Sequence, residues 1–212
     1  MGTSMATKSE AREVAVESRE ALREWLERHH GEGESVWLVR WKKGSGKPHV
    51  PYGDVVDECL CFGWIDSLPR KLDERRSKLR ISPRDPRSNW SGTNKRRVAR
   101  LEREGRMAAA GHAAVELARR NGAWSFLDEV ERLEIPDDLA RALDGVADAR
   151  ARFARFPDSS KRGILEWIKN AKREKTRATR VRETAEKAAR NVKANHPAGR
   201  DVGPALPDEE GR

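Results

Sequence analysis

The chain has 212 residues, enough for one compact domain or two small ones sharing a core. Charged residues make up 37% against 36% hydrophobic, and 44 Lys and Arg over 35 Asp and Glu give a net charge of +9, a balance that points to a highly solvated, helix-rich fold. Seven Trp residues exclude wholesale disorder, because disordered chains are poor in large aromatics, and no apolar run approaches the roughly 18 residues needed to span a bilayer.

From the N-terminus, Glu10 to Arg28 reads as an amphipathic helix, with Val14, Ala15, Leu22, Trp25 and Leu26 near one face and Gly31 and Gly33 as its stop. Ser35 to Trp41 alternates as a strand, and Lys42 to Pro48 is a loop. Tyr52 to Cys61 carries Val55, Val56, Cys59 and Leu60 at helical spacing, with Gly63 placed to take the left-handed turn after the helix and Trp64 and Ile65 in that turn. Lys71-Leu72 and Lys78 to Ser82 form two short antiparallel strands around an Asp73–Arg76 turn. A helix from Trp90 to Glu104 follows, capped by Ser88 or Asn89 and ended by Gly105.

Beyond that the pattern is helical throughout: Ala108–Asn121, Asp137–Asp144, Val146–Phe156, Ser159–Asn170 and Lys175–Lys193. The expected architecture is α+β and mainly helical. A small antiparallel sheet with helices occupies residues 1–105, a helical region 106–195, and a disordered tail 196–212. The last helix shows a narrow stripe of Ala178, Val181, Ala185, Ala188 and Val192, suited first to packing within the chain and second to dimerisation, so monomer and dimer both stay open.

Cys59 and Cys61 are the only cysteines, and two positions apart on a helix their side chains point apart, so they are expected as buried thiols without a disulfide in a reducing cytoplasm. No second cysteine pair or His-x₃₋₅-His partner accompanies them, so neither metal nor cofactor is expected. The opening residues lack an apolar core behind their charges, which argues against export.

The positive charge is concentrated. Pro69 to Arg106 holds 14 basic and 5 acidic residues, Lys161 to Lys193 holds 12 and 4, and the remainder is acidic. Two basic blocks can attract a polyanion, so nucleic acid is a partner to test through the Lys161–Lys193 helices, against the simpler reading of solvated helix faces. Trp37 and Trp41 as base-stacking platforms compete with their more common role as core residues.

Two constellations carry the remaining chemistry. Cys61, Trp64 and Asp66 flank the Gly63 turn: Asp66 can orient an arginine, Trp64 can wall a pocket, and Cys61 can act as a nucleophile only if a nearby cation stabilises its thiolate. Arg84, Arg87, Trp90 and Asn94, with Ser88 and Ser91, gather at a helix start, where free backbone N–H groups and guanidinium forks suit an anion. The competing reading is a plain cap with Arg84 paired to Asp66 or Asp85. If the two segments meet, Trp41, Trp64 and Trp90 wall a cleft floored by Asp66, Arg84 and Asn94. Trp167 is expected to anchor the penultimate helix, flanked by Lys169, Lys172 and Arg173.

Three segments in order, VWLVRWKKGSGKP with ECLCFGWIDS, then ISPRDPRSNWSGTNKRRVARLEREGRM, then SSKRGILEWIKNAKREKTRATRV, resemble the YdeI/OmpD-associated family, also labelled bacteriocin-protection proteins, over about residues 18 to 195. Cys59 stands where a small residue is usual, and the tail after His196 lies outside the pattern. The resemblance implies a basic bacterial cytoplasmic protein acting in resistance to bacteriocins, antimicrobial peptides or envelope stress, with no established chemistry and one branch linked to an outer-membrane porin. It is read here as a non-enzymatic protein that binds a small molecule, peptide or protein. The alternatives are a nucleic-acid-binding module and a small-molecule detoxifying enzyme that uses Cys61.

Overall fold

The computed structural model describes residues 11–204, and these fall into two compact units that divide between Phe126 and Leu127. The first is α+β, with a four-stranded mixed sheet in the order β1-β2-β4-β3. β1 (Glu13–Ala15) runs parallel to β2 (Val36–Trp41), while β4 (Arg76–Pro83) lies antiparallel to both β2 and β3 (Trp64–Lys71). The sheet is therefore mixed rather than purely antiparallel.

The missing parallel strand explains the first difference from the sequence reading. Residues 13–15 are not helical. Val14 and Val16 point into the interior while Glu13 and Ala15 face out, an alternation of period two that the short run hid inside a helical pattern. Helix α1 (Arg19–His29) starts only at Ser18, whose hydroxyl accepts the Ala21 N–H at 3.0 Å. Glu10 lies outside the described residues.

Helix α2 spans Tyr52–Cys61, as its apolar spacing predicts, and Gly63 takes the left-handed conformation at φ 71°. Trp64 and Ile65 then open β3 instead of lying in a turn. Pro69 and a register shift between Asp66 and Pro69 interrupt the alternation of this edge strand, which is why its pattern reads as weak.

Helix α3 (Gly92–Arg103) begins after Trp90, with Ser91 rather than Ser88 or Asn89 as its cap, and α4 (Ala109–Arg120) follows. The expected boundary near residue 105 falls inside the first unit. The Ala108 N–H donates to the Cys61 carbonyl at 3.0 Å, and Gly111 sits so close to Cys61 that an added Cβ would lie 2.3 Å from its oxygen. The helices bury Leu22, Leu26, Val55, Leu60, Val98, Leu101 and Val115 in one core with Val36, Leu38, Leu79 and Ile81 from one side of the sheet.

The second unit is helical: α5 (Asp128–Glu131), α6 (Asp137–Asp144), α7 (Ala149–Arg155), α8 (Asp158–Lys169) and α9 (Glu174–Ala189). The four-residue α5 has no counterpart in the sequence reading, being too short to show a period. Val181, Ala185 and Ala188 of the small-residue stripe are buried, and α9 packs on α6, α7 and α8. Trp167 is half-buried, its ring covered by the Arg180 guanidinium at 4.9 Å, while Ile164, Leu165 and Ile168 fill the interior beneath it. The start of the expected tail folds back: Val202 bridges Val192, and the Gly203 N–H donates to the Asn191 carbonyl at 2.7 Å. Residues 205–212 lie outside the described residues. No helix among those described is long and apolar enough to cross a membrane.

Candidate functional site

The Gly63 turn and the Arg84 segment do meet, since the Arg84 N–H donates to the Gly63 carbonyl at 3.0 Å. What forms there is a packed interior. Trp64 and Trp90 are each 1% exposed. The Trp64 indole donates to the His30 carbonyl at 3.0 Å and stands edge-on to Trp25. Trp90 packs beside Trp124, with the Arg84 guanidinium stacked on it at 3.8 Å. Arg84 donates through Nη2 to the Asn89 carbonyl, and burial pushes its pKa down to about 10, with Asp66 pulling weakly the other way.

The other members scatter. Asp66 accepts a 2.7 Å hydrogen bond from the Tyr52 hydroxyl, whose pKa is pushed up to about 12 by burial and by that bond. Arg87 is largely exposed and paired with Asp85 at 3.1 Å, and the Asn94 N–H is taken by the Ser91 cap. Trp41 lies on the opposite side of the sheet, donating to Glu17 Oε1 at 3.2 Å. Trp41, Trp64 and Trp90 therefore enclose no shared recess, and Arg84 and Asn94 do not form its floor. The reason is the pleat: Trp41 stands on the opposite face of β2 from Leu38, whose side belongs to the core.

Cys61 is fully buried, and burial followed by the neighbouring Glu58 pushes its thiol up to about 11, with Arg23 only partly opposing this. A nucleophilic thiolate at neutral pH is not supported by that setting.

The sequence reading missed a polar network on α2. Glu58 has no exposed surface, yet its carboxylate accepts from Arg19 Nε at 2.6 Å, Arg23 Nη1 at 3.0 Å and Arg106 Nη2 at 2.5 Å. Asp57 beside it accepts from Arg97 and Arg100 at 2.6 and 2.5 Å. The visible signal was an acidic pair inside an otherwise apolar helix. Each carboxylate is fully paired, so the network reads as a clamp joining α1, α2 and α3.

A concave site lies in the second unit. A groove of about 620 Å³ runs between α6 and α9, with Ala142, Val146, Ala178, Val181 and Ala185 among its lining. At its edge Arg177 reaches Asp138 with both Nε (2.7 Å) and Nη2 (2.9 Å), holding that carboxyl below the usual carboxylate range. Glu174, Arg182 and Glu186 complete the lining. The stripe on α9 thus has two uses: Ala188 is wholly internal, and Ala178 is exposed to the groove.

Residues 132–191 match the model of a family described as bacteriocin-protection, YdeI or OmpD-associated, and residues 14–114 match a domain of unknown function. The first two of the three resembling segments fall in the latter and the third in the former. No curated protein matches, and neither does any solved structure.

Proposed function

Starting from a second unit that carries a domain of the bacteriocin-protection, YdeI or OmpD-associated family, we propose that the protein is a non-enzymatic binding protein of the cytoplasm. In this reading it protects against bacteriocins or antimicrobial peptides by holding a ligand in the α6–α9 groove. The observation that carries the reading is that the whole lining of the groove, from Asp138 to Glu186, falls inside the family-matched residues. Its volume of about 620 Å³ lies in the range of small-molecule and peptide side-chain sites. The cytoplasmic placement rests on two cysteines that lie buried and unbridged.

The groove also suggests a ligand chemistry. Its small apolar side chains accept an apolar face; Asp138 is paired with Arg177 and Glu186 lies 3.8 Å from Arg182, so Glu174 is the carboxylate left to meet a cationic group, which a cationic amphipathic peptide supplies. The lining carries one more carboxylate than arginine, which favours a cationic ligand locally although the net charge of the chain is +9.

The test is a thermal-shift and calorimetric titration with a synthetic Lys/Leu amphipathic peptide. A peptide at a hundred times its Kd raises stability by about 2.7 kcal/mol. Ala178→Trp, which fills the groove from an exposed position, is expected to abolish the shift while the variant stays folded. Absence of any shift in the parent, or an unchanged shift in Ala178→Trp, overturns the reading.

A further inference from the structure

We propose that the outward side of the sheet in the first unit is a platform for single-stranded nucleic acid. The site is separate from the groove and does not depend on it.

The register sets the surface. Trp37 pairs with Arg80, Val39 with Lys78 and Trp41 with Arg76 across β2 and β4, and Lys78 pairs in turn with Arg70 of β3. Residues directly opposite in a ladder share a face, so two indoles and a row of cations lie together on one side. The other side belongs to the main core cluster through Val36, Leu38, Leu79 and Ile81; on this side Trp37 (8% exposed) and Val39 are covered by their neighbours, and Trp41 is half-buried. Trp37 is buried, as the core role expected for it implies, though outside the main cluster, and Trp41 on the same face is half-buried.

Each ring is matched by two cations. Arg70 and Lys78 lie over Trp37 at 5.1 and 5.0 Å, and Arg75 and Arg76 over Trp41 at 5.4 and 5.7 Å. The indoles stand four residues apart on one strand, roughly 13 Å at 3.3 Å per residue; Trp41, half-buried, is the ring a base can reach, and Trp37 lies beneath Arg70 and Lys78, which offer the neighbouring nucleotide their charge. Flat guanidinium and indole groups are what unstacked bases lie against, and the same cations reach phosphate.

Charge complementarity selects the occupant. Lys78 is matched by Glu13 at 2.6 Å and Arg76 by Asp73 at 2.7 Å. Arg70, Arg75 and Arg80 have no acidic partner among the described residues; Arg80 is held by the Ser35 hydroxyl at 2.8 Å and Arg75 by the Ser45 carbonyl at 2.6 Å. Two arginines fixed by neutral groups and a third lying over the Trp37 ring leave a positive surface with planar faces. A duplex offers phosphate but keeps its bases stacked, so the aromatic component favours a single strand.

The test is fluorescence anisotropy of labelled dT and rU oligonucleotides with the full chain, alongside heparin as a polyanion without bases. Binding at about 50 mM salt is expected, with indole fluorescence quenched and affinity falling as salt rises. Arg70→Ala/Arg75→Ala/Arg80→Ala, all at exposed side chains, is expected to weaken binding at least tenfold and to flatten the log K against log salt slope by about 2, at roughly 0.7 per phosphate contact. Trp41→Leu should weaken oligonucleotide binding at least fivefold and leave heparin binding unchanged. Arg173→Ala/Arg190→Ala in the second unit should change neither. Absence of binding at low salt overturns the proposal. So does heparin binding as tightly with oligonucleotide leaving the indoles unquenched, and so does loss confined to the Arg173/Arg190 variant.

Discussion

Arg106, in the turn after α3, places its Nη2 2.5 Å from Oε1 of Glu58, a carboxylate near the end of α2 with no exposed surface. Arg19 and Arg23 reach the same carboxylate from α1, so one buried charge ties three parts of the chain together. Removing it leaves three guanidinium groups, each only partly exposed, without their counter-charge. Glu58→Gln is expected to cost about 3 kcal/mol, and Arg106→Met only about 1 kcal/mol because two arginines still neutralise the carboxylate. Urea denaturation read by tryptophan emission measures both, since Trp25, Trp37, Trp41, Trp64, Trp90 and Trp124 all lie in the first unit. A Glu58→Gln variant within about 0.5 kcal/mol of the parent would contradict the clamp.

Alkaline pH gives a second handle. The Cys61 thiol moves from 9.0 to about 11 and the Tyr52 hydroxyl from 10.0 to about 12, both chiefly through burial, so the native state holds these protons more tightly than the unfolded chain does. Stability from this source is intact below pH 9 and is lost as pH rises through 11 and 12. Urea midpoints measured from pH 8 upward are expected to fall beyond pH 9, and Cys61→Ala should soften the early part of that fall. The same burial predicts that iodoacetamide labels Cys61 in the native protein far more slowly than in urea. Rapid labelling of the folded protein at pH 8 would reopen the thiolate chemistry.

Where hydrophobic period and local signals agreed, the sequence was a sufficient guide: α2 and α6 coincide with their predicted ranges, and Gly63 takes the turn conformation its position implies. It failed where one residue decides a face. The three-residue β1 was absorbed into a helix because Val14 and Ala15 fit both periods, and the edge strand β3 was lost to Pro69 and its bulge. The cleft that the sequence suggests is absent for a different reason. Proximity of Gly63 and Arg84 was inferred correctly, but no rule of spacing tells a buried indole from one that lines an opening, and Trp64 and Trp90 are buried. Spacing gives the arginines at positions 19, 23, 97, 100 and 106 no partner, because Asp57 and Glu58 are distant from them in the chain.

Two glycines within helices should respond with opposite signs. Gly111 of α4 lies against the end of α2, where an added Cβ would meet the Cys61 oxygen at 2.3 Å and its carbon at 2.7 Å, backbone atoms that cannot swing aside. Gly111→Ala is expected to cost about 2–3 kcal/mol by pushing α4 off α2. Gly163 in α8 has only the tip of His196 at 4.0 Å, so Gly163→Ala should gain about 0.5–1 kcal/mol from helix propensity alone. Denaturation of both variants checks the pair, and a neutral Gly111→Ala would mean that the two helices pack less closely than 2.3 Å implies.

Acid pH tests the edge of the groove. The Arg177 hydrogen bonds hold the Asp138 carboxyl below its ordinary 3.8, with smaller help from the Leu139 N–H. A depressed carboxyl contributes stability above the unfolded value and loses it as pH falls through the native one, so the effect belongs to the range below about pH 4. Both side chains are about a third exposed, which limits the contribution to about 1 kcal/mol. Asp138→Asn is expected to be less stable than the parent at pH 6 and to converge with it toward pH 2. Circular dichroism melts across that range decide the matter, and curves that stay parallel would show that the pair does not couple folding to protons. In Asp138→Asn the Arg177 charge is also left uncompensated beside Ala178 and Val181, so binding of the cationic peptide should weaken even at pH 7, where the fold itself is intact.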